Sequence, residues 1–275
     1  MANTCKQDKG NIGIETHNQL IWPFANAPAD FYALRGMMKK AIVIGASSGI
    51  GRELSKILFR NQYAVGIMAR RIDLLLELRN EMSNDVLAEK IDVSETDSAK
   101  EILTNFIKKM DGVDLLVICA GTGHLNEELD WTLENETIIT NVTGFAAIAN
   151  VAVKHFIKNG SGHLVGISSI AALRGGRESP AYNASKAFES NYLEGLRQKV
   201  VKLGLPITIT DIKPGFVKTA MAQGDGIFWA ADADKAAKKI FNAIKRRKSS
   251  AYITRRWRLV AWLIKLLPGF VYERL

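Results

Sequence analysis

Cysteine is scarce in this sequence: its 275 residues hold two, Cys5 and Cys119. One lies in a polar N-terminal stretch and the other at the end of an apolar run. That placement argues against a disulfide framework and for a reducing, cytoplasmic compartment. Histidine is nearly as rare. His17, His124, His155 and His163 show no metal-ligand spacing, so no metal site is expected. The N-terminal stretch lacks a basic segment followed by a long apolar one, the pattern of a secretory signal. Acid is almost missing from the C-terminal end. From Lys245 onward a single glutamate, Glu273, stands against nine lysines and arginines. That stretch carries eight of the nine net positive charges, which leaves the rest of the chain close to neutral. A nucleic-acid-binding face spread over the fold is thereby disfavoured, and no nucleic-acid partner is expected.

What remains is an ordinary globular balance, 47% hydrophobic and 24% charged with a mean hydropathy near zero. Residues 1–36 hold Asn, Gln, Gly and two prolines without a sustained period. They read as a disordered extension, with Met37 or Met38 as the natural start. Residues 37–254 read as one domain. Apolar runs at 41–44, 64–68, 86–91, 115–119, 163–167 and 207–212 have the length and bounds of buried strands. Between them come segments with helical spacing, such as Ile50, Leu54, Ile57 and Leu58, or Ile102, Phe106 and Ile107. A helix over 233–245 and a strand over 251–254 complete the series. Short apolar strands alternating with amphipathic helices predict an α/β fold. It is a Rossmann-type, doubly wound parallel sheet of about seven strands flanked by helices, in three α/β/α layers.

The first strand runs into Gly45-Ala46-Ser47-Ser48-Gly49-Ile50-Gly51 and then into a helix. Gly45 suits the tight turn, Gly49 a close approach of backbone to a pyrophosphate, and Gly51 close packing of helix on strand. The free N–H groups and partial positive charge of the helix start would hold the phosphates, with Ser47, Ser48 and Ile50 beside them. The second strand ends in Ala69-Arg70-Arg71, with no acid to hold a ribose 2′-hydroxyl. Arg70 and Arg71 suit a 2′-phosphate, so NADP(H) is expected rather than NAD(H).

Further along stand Asn141, Ser168-Ser169 and the pair Tyr182 and Lys186, four residues apart on one helical face. Together with Gly45-x-x-x-Gly49-x-Gly51, Asp92, Ala120-Gly121 and Pro214-Gly215-Phe216-Val217-Lys218-Thr219, this set resembles the short-chain dehydrogenase/reductase family in its one-domain form. The resemblance covers residues 40 to about 255, with Ser169 thirteen residues before Tyr182. It implies an oxidoreductase acting on a carbonyl or alcohol, with Asn141, Ser169, Tyr182 and Lys186 as the catalytic residues. Tyr182 would be the general acid or base, its phenol (ordinarily near ~10) eased toward neutrality by the Lys186 cation. Lys186 would also bind the nicotinamide ribose, as Tyr182 faces the nicotinamide. Ser169 would steady the substrate oxygen, and Asn141 a backbone kink and a water. Asp92 and Val93 would contact the adenine, and Ala120 and Gly121 would flank the dinucleotide. Pro214, Gly215, Val217 and Thr219 would line the nicotinamide. The resemblance also implies a homo-dimer or homo-tetramer through the helices carrying Asn141 and Tyr182. One departure stands out: Ile118-Cys119-Ala120-Gly121 replaces the family's Asn-Asn-Ala-Gly. Cys119, at the end of a buried strand, reads as a small core residue.

Residues 220–230 include Met221, Ile227, Phe228 and Trp229 where the family has its variable substrate loop, which suggests an apolar substrate. Residues 255–275 form a third segment, a basic apolar helix. Its apolar run is far short of the ~20 residues that span a bilayer. Arginines beside tryptophans and leucines suit a helix lying in an anionic membrane interface, on the inner face of a membrane. Packing on a twin subunit or over the active site is the alternative. For the whole chain, the competing reading is a non-catalytic NADPH-binding sensor or membrane-associated scaffold.

Overall fold

A computed structural model describes residues 38–218 and 230–274. The expectations for residues 1–36, Thr219, Met221, Ile227, Phe228 and Trp229 fall outside them. Seven strands run in chain order: β1 (Lys40–Ile44), β2 (Ala64–Ala69), β3 (Leu87–Lys90), β4 (Leu115–Ile118), β5 (Gly162–Ile167), β6 (Ile207–Pro214) and β7 (Ser250–Ile253). They form one sheet in the order β3-β2-β1-β4-β5-β6-β7, every pair parallel. The expected strands match to within a residue or two. Val86 and Ile91, placed in the third strand by their apolar character, are buried just outside the paired β3.

The strands look continuously apolar because both faces are covered. On β1, Ala41 and Val43 face one side and Ile42 and Ile44 the other, as a period of two requires. The first side is packed by α1 (Gly49–Arg60), α2 (Ile72–Met82) and α7 (Ala233–Lys245), through Leu54, Leu58, Leu75, Leu78 and Ile240. The second is packed by α3 (Thr96–Lys109), α5 (Phe145–Asn159) and α6 (Pro180–Lys202), through Phe106, Phe145, Phe156 and Leu193. This gives the three layers expected.

α4 (Trp131–Ile138) runs through a π-helical turn, Ile139–Gly144, into α5. The whole, Trp131–Asn159, is the one helix among the described residues long and apolar enough to cross a membrane. Its Phe145–Asn159 part packs in the core, where the apolar content is used against the sheet. The basic C-terminal segment is not one helix: Pro268, which cannot continue a helix, divides it into α8 (Arg255–Leu266) and α9 (Gly269–Tyr272). The strand order reverses between β1 and β4. In an open α/β sheet that reversal leaves a crevice outside the carboxyl ends of the strands, and the site is found there.

Candidate active site

A cavity of about 1110 Å³ opens at this crevice. Gly45, Ser47, Ser48, Gly49, Ile50 and Gly51 line its floor, and Arg70 and Arg71 one end. Val93, Ala120, Gly121, Ser169, Tyr182, Lys186, Pro214, Gly215 and Val217 line the remainder. Asp92 and Asn141 are not among the lining residues. Asp92 instead closes its own turn, accepting hydrogen bonds from the Ser94 N–H at 3.0 Å and hydroxyl at 2.7 Å. Asn141 stands behind the wall.

The glycine loop is shaped by close approach. A β-carbon on Gly51 would collide with the Gly45 carbonyl, and one on Gly45, whose φ is +86°, with the Ala120 backbone. The helix start is thus pressed against β1 and β4, with a cradle that side chains would fill. Arg71 reaches over the loop and donates to the hydroxyls of Ser47 at 3.0 Å and Ser48 at 2.8 Å. A guanidinium beside two hydroxyls and a helix N-terminus is a donor set for phosphate oxygens, so the residues present fit a phosphorylated dinucleotide.

Ser168 and Ser169 follow β5 and part ways. The Ser168 hydroxyl turns inward to Asp211 Oδ1 at 2.5 Å, while Ser169 caps the short 3₁₀ turn Ile170–Leu173, accepting from the Ala171 N–H at 3.1 Å. Pro180, at the first position of α6, starts the helix that carries Tyr182 in its first turn and Lys186 one turn on. Lys186 Nζ lies 5.8 Å from the Tyr182 ring centre. Asn141, fully buried in the π-helical turn, accepts from the Thr122 N–H at 2.8 Å and donates to the Thr122 carbonyl at 2.7 Å and to Ser185 Oγ at 3.0 Å. It ties the loop after β4 to the helix bearing Tyr182 and Lys186. The expected kink at Asn141 is therefore a wider helical turn braced on both sides.

Lys186 is buried beside Cys119 and Glu189. Its ammonium donates to the Ile167 carbonyl at 3.3 Å and to both Glu189 oxygens at 2.8 and 3.0 Å. Burial works against its charge, yet Glu189 and then Tyr182 outweigh that and hold it above the usual lysine range. Burial also pushes the Cys119 thiol up to about 12, an unreactive state, although Cys119 is partly buried at the core's edge and lines the cavity instead of lying wholly in the core.

Sequence reasoning missed three features. Glu189 carries no motif that marks it. Trp257 on α8 packs against Gly215 and meets Phe216 edge to face at 5.5 Å. Arg174 donates to the Leu267 carbonyl at 3.1 Å and lies 4.4 Å over the Tyr272 ring, while the Tyr272 hydroxyl donates to the Gly175 carbonyl at 2.5 Å. These contacts seat α8 and α9 at the cavity mouth, where Ile264 and Tyr272 line it. Packing over the active site was the alternative that the sequence left open for 255–275, without the contacts that make it.

A parallel sheet with a glycine cradle at its switch point and a Tyr-x-x-x-Lys pair in the same cavity defines the class, an NAD(P)-dependent oxidoreductase. The family model described as short chain dehydrogenase matches residues 39–226, and the chain belongs to that family. It is 38% identical over 188 residues to an uncharacterised oxidoreductase of Myxococcus xanthus, covering 66% of this chain and 74% of that one. It is 28% identical over 239 residues to an uncharacterised oxidoreductase of Mycobacterium tuberculosis, covering 83% and 92%. Among solved structures it is similar to ElxO with NADP bound, at 25% identity and a TM-score of 0.70, covering 79% of this chain and 97% of that one. The closed form of serine dehydrogenase complexed with NADP+ shares the fold, with a TM-score of 0.71 at 21% identity over 78% and 94% of the two chains.

Proposed function

We propose that the protein reduces a carbonyl to an alcohol, or runs the reverse reaction, on an apolar substrate with NADP(H) as cofactor. The observation that carries this reading is the single cavity shared by the Arg71-covered glycine cradle and the Tyr182–Lys186 pair. Arg71, with Arg70 beside it, favours the 2′-phosphorylated form, in keeping with the NADP bound to ElxO. The cofactor, when bound, supplies or accepts the hydride. Tyr182 delivers the proton to the substrate oxygen, or takes it in oxidation. Lys186 eases that transfer by stabilising the phenolate, and Ser169 steadies charge on the oxygen. Asn141 holds the two walls of the site together. A homo-oligomer through α5 and α6 belongs to the same reading, as does a reducing cytoplasmic location.

The test is nicotinamide fluorescence on titration with NADPH and with NADH, then turnover of a carbonyl panel by wild type and Tyr182→Phe. Tight NADPH binding by both, with turnover lost at least about a hundredfold in the variant, is the expected result. Binding without turnover of any carbonyl would favour the sensor reading.

A second reading, peripheral seating on an anionic membrane, rests on α8. It docks through Trp257 and Ala261, at 2% and 1% exposed, with Ile264 half-buried. Leu259, Trp262, Leu263 and Leu266 form an outward row at helical spacing, each more than half exposed, and Phe270 on α9 extends it. Exposed Arg258 and Lys265 flank the row, and α8 has no acidic residue. An apolar strip bordered by cations is the form of an interfacial helix. A second copy would bring like charge against like. Membrane contact at the cavity mouth would also suit a substrate drawn from the lipid phase.

A further inference from the structure

The Lys186–Glu189 ion pair has no part in the roles given to Tyr182, Ser169 and Asn141. Lys186 is 4% exposed and Glu189 0%, one turn apart on α6, and a single ammonium satisfies both carboxylate oxygens. A buried carboxylate is costly unless paired, and a buried ammonium equally so, so each favours the charged state of the other. Around them, Tyr182 shares the helix and the Cys119 thiol closes the β4 side in its protonated form. From β6, Asp211 and Lys213 pair with each other and both engage Ser190 on α6. The π-helical turn contributes no ionisable side chain, since it reads Ile-Thr-Asn-Val-Thr-Gly. Glu189 is therefore the anion set directly against the lysine that faces Tyr182.

We infer that Glu189 is the positioning residue of Lys186, keeping its buried ammonium charged at the cavity wall and thereby setting the upper pH limit of proton delivery in the site. The inference rests on the assignment of Tyr182 and Lys186 made above. Reduction needs both the phenol and the ammonium protonated. A negative charge close by makes the Lys186 ammonium release its proton at higher pH, and its removal makes it release at lower pH. Burial raises the Glu189 carboxyl to about 7, against the opposing pull of Lys186, so it carries its charge on the alkaline side of that value. Glu189→Gln keeps size and shape but removes the charge. Glu189→Asp keeps the charge at a slightly greater distance.

The experiment is the pH profile of kcat for carbonyl reduction by the full chain as wild type, Glu189→Gln and Glu189→Asp, with NADPH affinity measured on each. The alkaline limb is expected to move to lower pH by ~1–3 units in Glu189→Gln and to stay within about half a unit of wild type in Glu189→Asp. Circular dichroism and NADPH titration would show that the variants are folded. A limb unmoved in a folded Glu189→Gln overturns the inference and leaves the reductase reading intact. Should that variant not fold, a limb displaced acidward in Glu189→Asp as far as ~1 unit or more would overturn it instead, because the charge is retained there. Absence of turnover by wild type, or its persistence in Tyr182→Phe, overturns the assignment on which both rest.

Discussion

The indole of Trp257 fills the space that a β-carbon on Gly215 would need. Residue 215 follows the last residue of β6 and lines the cavity, while Trp257 sits in the first turn of α8, only 2% exposed. The C-terminal helix is thus keyed directly to the wall expected to face the nicotinamide. Removing the indole should leave a large cavity, costing roughly 3–5 kcal/mol in Trp257→Ala. Gly215→Ala should push the ring out and loosen α8 by a smaller amount. Urea unfolding with parallel NADPH titration checks both. An unchanged midpoint in Trp257→Ala would show that α8 is not anchored there.

Arg71 is expected to decide between the two nicotinamide dinucleotides. Its guanidinium already lies over the Ser47 and Ser48 hydroxyls, where a charged hydrogen bond to phosphate is worth about 1.5–3 kcal/mol. Arg71→Ala should therefore weaken NADPH about 10- to 100-fold while NADH changes little. Equal losses for both would mean that the arginine serves the loop and not the 2′-phosphate.

His163 should make the fold sensitive to acid. Burial, followed by the repulsion of Arg247, lowers its imidazole to about 4. Its Nε2 lies 2.8 Å from Thr210 Oγ1, whose proton goes to the Lys248 carbonyl at 2.5 Å. The hydroxyl must therefore accept from the ring, which fixes the neutral Nε2–H form. Unfolding frees the ring to titrate near ~6.5. The folded-state value is depressed, so the unfolded chain binds the extra proton between those limits. Stability present above pH ~6.5 should fall as pH drops toward 4, by roughly 3 kcal/mol at most. Denaturant midpoints measured at pH 7 and pH 4.5 on wild type and His163→Gln would check this by their difference, since groups such as Glu189 titrate in both.

The outward face of α8 should bind vesicles of mixed phosphatidylglycerol and phosphatidylcholine and ignore pure phosphatidylcholine. Substituting Leu259, Trp262 and Leu266 together by serine should abolish co-sedimentation and leave NADPH affinity unchanged. Self-association by light scattering, with no vesicle binding, would assign the face to a second copy of the chain.

Much of this molecule follows from the chain read alone. Alternating apolar runs and helical periods set the α/β class because buried parallel strands must be apolar on both faces, as Ala41 to Ile44 are. The cradle was legible because Gly51 answers a steric demand from Gly45, near in sequence, and Gly45 has a left-handed backbone at a strand end, and Tyr182 and Lys186 because helical spacing alone aligns them. Other features were decided only by tertiary structure. That the α6 face carrying Lys186 and Glu189 is buried, that Trp257 packs on Gly215, and that Arg174 ties down Leu267 and Tyr272 depend on which helix faces crowd together across gaps of up to almost a hundred residues. No local pattern records such contacts, since a glutamate on a helix or a tryptophan in a basic segment has the same local preferences whether it ends in solvent or in the core. Burial, which turns Glu189 from a surface charge into the partner of Lys186, is a property of the packed layers and not of the residue.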